Sequence, residues 1–96
     1  MPLFLVKHQH PADRCPAGDK EIAPMLLSHL AADNAKQFGI TIHGEAVVDR
    51  SHSLYLIVEA PEIESVDRFM QPFYQAGTVE IFPSSSCETV VNRGAC

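Results

Sequence analysis

The stretch Ile40 to Ala60 alternates strictly enough to fix a β-hairpin and its register. With Asp49, Arg50 and Ser51 as the loop, Val48 faces His52, and Ile40, Ile42, Ala46, Val48, Leu54, Leu56 and Val58 fall on one face. The other face then carries Thr41, His43, Glu45, Val47, Ser53, Tyr55, Ile57 and Glu59. A slip of one residue exchanges the faces of a strand, and moving the turn by one mixes both sets, so this register is preferred. The first face is an ordinary core. The second mixes acids, a histidine and a tyrosine with aliphatics, the composition of a half-buried cavity wall.

Ninety-six residues are enough for one domain with a two-layer core, and few enough that subunit association would add stability. An apolar share of 46% against 20% charged excludes a disordered chain. The net charge of -5, with no Lys/Arg run, excludes a phosphate-backbone partner, so no nucleic acid is expected. No apolar stretch reaches membrane-spanning length and the opening run is too short for a signal-peptide core, so the expectation is a cytoplasmic protein without a membrane partner. Cys15, Cys87 and Cys96 leave at least one thiol unpaired, and in a reducing compartment all three are thiols.

Leu3 to Gln9 reads as a central strand, apolar on both sides. Pro11 to Gly18 is a loop. Asp19 can cap a helix that tolerates Pro24 in its first turns, carries an apolar stripe of Ile22, Met25, Leu26, His29 and Leu30, and runs to about Phe38 before Gly39 stops it. After the hairpin Pro61 opens a second helix with Ile63, Val66, Phe69, Met70 and Phe73 inward, and Pro72 marks its end or a kink. Thr78 to Phe82 is a last edge strand before Pro83. Residues 84–96 then form a short closing helix and tail, with Ser85 and Glu88 as a capping box, Val90 and Val91 inward and Gly94 as the stop.

The order strand, helix, strand, strand, helix, strand predicts a single α+β domain over 1–96 of ferredoxin-like βαββαβ type: a four-stranded antiparallel sheet with both helices on one face. The other face, expected to bear Val47, Ile57, Phe4, Val6 and Phe82, would stay bare in a monomer, and a bare apolar face marks an association site. A two-fold homodimer closing face to face would bury it around a pocket. In this element order the chain resembles the dimeric α/β-barrel superfamily, which pairs ferredoxin-like sheets around a central cavity. The opening Met-Pro-Leu-Phe-Leu-Val and Val58-Glu59-Ala60-Pro61 before the second helix are similar to small bacterial members of that group, some of which bind nickel. The resemblance implies a dimer but not one function, since the superfamily holds cofactor-free monooxygenases, isomerases, dehalogenating and haem-handling enzymes and binding proteins.

His8 and His10, two apart on a strand, point to one side and can offer two imidazoles to one ion. Cys15 on the following loop can fold back over them, and His43 can join across a two-fold axis. A thiolate with imidazoles suits zinc, copper or nickel. The bland reading makes these the polar mouth of a cavity. A second constellation, His8, Tyr55 and Glu45 in a row across the sheet, would serve proton transfer, against the bland reading of a hydrogen-bonded polar layer. His29 reads as a satisfied core or boundary histidine and His52 as surface. Cys87 opens the closing helix and reads as a small buried residue. No phosphate-binding, dinucleotide or hydrolase motif is present.

Three functions follow as expectations. The leading one is a dimeric protein holding a transition-metal ion or small-molecule ligand in its sheet-lined cavity through His8, His10, Cys15 and His43, without organic cofactor. The second is a cofactor-free isomerase or monooxygenase of a small aromatic or carbonyl compound, using His8, Tyr55 and Glu45. The third is an assembly module whose open face only pairs subunits.

Overall fold

A computed structural model describes residues 1–96. Four strands, β1 (Leu3–Gln9), β2 (Thr41–Val48), β3 (Ser53–Glu59) and β4 (Thr78–Ser84), form one sheet in the order β2-β3-β1-β4 with every neighbour antiparallel. The helices α1 (Ile22–Leu30), α2 (Ala32–Gln37), α3 (Ile63–Phe69) and α4 (Gln71–Tyr74) stand between the strands in sequence, and α5 (Cys87–Arg93) follows β4. This is the ferredoxin-like α+β arrangement, with β1 and β3 central. No helix is long and apolar enough to cross a membrane.

One side of the sheet is buried under the helices. Phe4 and Val6 from β1 and Leu54, Leu56 and Val58 from β3 meet Ala35 of α2, Val66 and Phe69 of α3, Phe73 of α4 and Met70 between those two helices in a single core. Residues directly opposite in adjacent strands share a face, so Leu3, Leu5 and Lys7 point the other way, with Ile57 and Tyr55 of β3 and Phe82 and Glu80 of β4. Phe4 and Val6, expected on the bare face, therefore belong to the core. Their places outside are taken by Leu3 and Leu5, and the expected Phe82 and Ile57 are there.

The hairpin follows the predicted register only as far as Ile42, which pairs with Val58. A bulge at His43 then shifts the pairing so that Gly44 opposes Ile57, Glu45 opposes Leu56 and Ala46 opposes Tyr55. An extra residue on one strand moves every later side chain to the opposite face. Glu45 and Val47 thus turn to the helix side, where both are exposed at the sheet edge, and Ala46 and Val48 join the open face.

The first helix is two. Ala31 has an extended backbone, φ -62 and ψ 145, between α1 and α2. The break is held by Asn34, whose Nδ2 donates to the His29 carbonyl at 2.8 Å and approaches His29 Nδ1 at 3.2 Å. His29 Nε2 in turn donates to the Phe69 carbonyl at 2.7 Å, and its ring stacks on Phe69. That is the satisfied boundary histidine expected from the sequence. Of the other residues in the predicted stripe, Leu26 and Leu30 pack partly against the core, whereas Ile22 and Met25 are exposed.

Pro72 acts as predicted. The second helix interrupts at Met70 and resumes for one turn, because a proline ring excludes the carbonyl four residues before it. β4 runs on through Pro83 to Ser84, which an edge strand permits. Ser86, not Ser85, caps α5, its Oγ accepting from the Thr89 N–H at 3.1 Å, and Gly94 stops the helix at φ 77. Nothing in α5 is buried, and Val91, expected inward, is 69% exposed.

Candidate metal centre

The carboxyl end of β1 delivers a chain of imidazoles. His8, opposite Leu54 and Val79, is 3% exposed and packs edge-on against Phe73. A histidine buried there must satisfy both ring nitrogens. Its Nδ1 lies 3.0 Å from the Thr78 carbonyl oxygen, and a carbonyl only accepts, so Nδ1 carries the proton. Burial holds the His8 imidazole below its ordinary value; the bond to Thr78 opposes this and charge on His10 adds to it. A neutral imidazole with its one proton on Nδ1 carries a lone pair on Nε2.

That lone pair lies 3.3 Å from His10 Nδ1, which must be the donor. With its proton on Nδ1, His10 presents a bare Nε2, and this atom is buried with no hydrogen-bond partner. Burial also lowers the His10 pKa, with a further lowering from charge on His52. An orphaned acceptor of this kind costs on the order of 1–3 kcal/mol unless something fills it.

Two other side chains close around His10. β1 and β3 are antiparallel with Gln9 opposite Ser53, and the ladder continues by one bond, His10 N–H to the His52 carbonyl at 3.2 Å. His52 itself is left-handed, φ 50 and ψ 45, the only positive-φ residue other than glycine in the chain. A side chain adopts that region at a cost, and such outliers gather at functional sites. The left-handed turn ends the hairpin loop Asp49–Ser51, and the His52 ring stands edge-on to that of His10, with centroids 5.3 Å apart. Cys15 arrives from the loop after β1, as the extended residue between single 3-10 turns at Ala12–Arg14 and Pro16–Gly18, and is a half-buried free thiol. One ring nitrogen of His10, one of His52 and the Cys15 sulfur all lie within 4.8 Å of one another.

Gly77 lets the strands approach at this corner. A Cβ there would overlap the Gln9 carbonyl oxygen and stand 2.8 Å from the His10 Cα, so only glycine admits β4 beside the strand end that carries the histidines.

The donor set can hold an ion. Two imidazoles and a thiolate suit zinc, copper or nickel, and a tetrahedral ion with bonds of about 2.0–2.3 Å needs its ligand atoms roughly 3.5 Å apart. Cys15 is the member carried on a loop, which buries no residue in either turn, so a small inward movement of that loop would bring the three atoms to this spacing.

Of the residues selected from the sequence, His10 and Cys15 come together here. His8 stands behind His10 with both nitrogens occupied, so it is no ligand of this cluster. His43 lies at the far end of the hairpin on the open face, its Nε2 3.0 Å from Glu59 Oε1, beside an open concavity lined by Leu3, Ile57, Ser84 and Ser86. The proposed row of His8, Tyr55 and Glu45 is not assembled. His8 is under the helices, Tyr55 is on the open face between Ala46 and Lys7, and the bulge sets Glu45 opposite Leu56. His52, read as surface, was findable: once β1 is placed antiparallel beside β3, the residue after Gln9 falls opposite the residue before Ser53.

The fold and the cluster define a ferredoxin-like α+β domain with a His/Cys/His group at one end of its sheet. No family model, curated protein or solved structure matches the chain.

Proposed function

We propose that this protein binds a transition-metal ion through His10, Cys15 and His52. The observation that carries the reading is the buried, partnerless Nε2 of His10, kept free of a proton by the bond from Nδ1 to His8, on a ring that has a nitrogen within 4.8 Å of a second imidazole and a thiol. The ion belongs at the end of the sheet and not in a cavity on its open face. Three protein ligands leave a fourth position for water or a small donor, as in sites where a metal exchanges or acts as a Lewis acid.

Titration of chelator-treated protein with Zn(II), Ni(II) and Co(II) tests this. One equivalent should bind, with a thiolate-to-cobalt charge-transfer band, and Cys15→Ser, His10→Ala and His52→Ala should each abolish or greatly weaken uptake while His43→Ala leaves it unchanged. The ion should also slow tryptic cleavage after Arg14 by drawing in the loop. Uptake that survives His52→Ala, or that depends on His43, sinks the assignment.

The open sheet face supports a second element of the reading, a homodimer. Leu5, Ile57 and Phe82 lie side by side in register and are 36%, 49% and 43% exposed. Lys7 and Glu80 adjoin them on the same face, and a patch bearing both signs can complement a second copy of itself across a two-fold axis.

A further inference from the structure

We infer that His8 is the positioning residue of the metal centre: it fixes the tautomer and orientation of His10 without touching the ion. The inference rests on the metal reading above and adds a residue to it.

Three observations carry it. His8 is the link between a fixed backbone acceptor, the Thr78 carbonyl, and a ring that must present one particular nitrogen. Its own orientation is enforced by near-complete burial and by the edge-on contact with Phe73, so it has no freedom to turn. The hydrogen bonds have one consistent direction. Thr78 accepts from His8 Nδ1, His8 Nε2 accepts from His10 Nδ1, and His10 Nε2 is left as the only site on that ring for an ion. Histidine ligands ordinarily donate their second N–H to a carbonyl or carboxylate, which locks the ring and raises its basicity. Here a second imidazole takes that part and passes the demand on to the edge strand β4.

The alternative role for His8 is to fill space beside Phe73. The two roles separate on substitution. His8→Phe fills the volume but accepts nothing from His10, whereas His8→Gln can donate from its amide to Thr78 and accept His10 N–H on its oxygen. Competition titrations with Co(II) against a chelator should show His8→Phe weakened by about 10- to 100-fold, with the thiolate-to-cobalt band retained, and His8→Gln close to the parent. Long-range 1H–15N spectra of the apo-protein should show the His10 ring protonated at Nδ1 in the parent and in His8→Gln, and shifted toward Nε2 in His8→Phe.

Parental cobalt affinity in His8→Phe would overturn the positioning role while leaving the metal site intact. If the parent takes up no cobalt, the metal reading fails and the inference fails with it, an outcome distinct from the first. Should His8→Phe not fold, the parent spectrum decides: a His10 ring protonated at Nε2 overturns the relay, and one protonated at Nδ1 with a parental affinity for His8→Gln supports it.

Discussion

A left-handed histidine is an informative residue, because glycine would adopt the same backbone without a side-chain clash. At His52 the strain and the ring can be separated by one substitution. The backbone carbonyl that receives His10 N–H remains in His52→Gly, and the penalty of the left-handed region, on the order of 1–2 kcal/mol for a side chain, is removed. Against that stands the greater freedom of glycine in the unfolded chain, roughly 0.5–1 kcal/mol. The expected outcome is thermal or urea stability within about 1 kcal/mol of the parent, together with loss of metal uptake. A stable variant that still binds one equivalent would remove His52 from the ligand set. The residues of the site were partly visible in the letters. The chemistry of His10 and Cys15 is evident from residue type alone. The role of His8 is not legible in the same pair, since a shared side of a strand does not say that one member will be sealed under Phe73 and spend both nitrogens on hydrogen bonds.

At the scale of the element, local signals performed unevenly. Proline and glycine punctuation was legible: Pro72 interrupts the second helix, Gly39 and Gly94 take positive φ at helix ends, and Pro83 sits in an edge strand. Two features were not, and both depend on partners distant in sequence or on a single inserted residue. The bulge at His43 reverses the later half of β2, and the break at Ala31 depends on Asn34 and His29 meeting Phe69. The start of α1 was legible in Asp19, whose Oδ1 accepts from the N–H groups of Glu21 at 2.8 Å and Ile22 at 3.0 Å. These two bonds hold its carboxyl below the ordinary value of 3.8, and the small cost of desolvation opposes them only weakly. A carboxylate with a depressed pKa contributes stability above its unfolded value, and that contribution is lost as the pH falls through the folded one. Melting temperature followed downward from pH 3.8 should therefore fall less steeply in Asp19→Asn, which keeps an acceptor but does not titrate, than in the parent. Equal slopes would show that the cap is not formed in solution.

For the molecule as a whole, the topology followed from element order, but the allocation of faces needed the register. The core side is closed by four helices, and the opposite side has no cover from its own chain beyond the nearby residues of α5. Its central row, Gly44, Ile57, Leu5 and Phe82, crosses all four strands, so it offers a continuous apolar band where a single exposed residue would mean little. If a second copy covers this band, a charge in its middle must be desolvated or expel the partner, whereas the metal corner, at the far end of β1, is untouched. Ile57→Glu should therefore convert a dimer to a monomer in sedimentation at micromolar protein, with the cobalt stoichiometry preserved. Because Ile57 is half exposed and outside the core, the monomer should keep its fold, read as unchanged far-UV circular dichroism. A parent that sediments as a monomer at every concentration would refute self-association. Retained dimerisation in Ile57→Glu would place the contact elsewhere, and the exposed apolar side of α1, with Ile22, Met25 and Leu27, would be the surface to charge next.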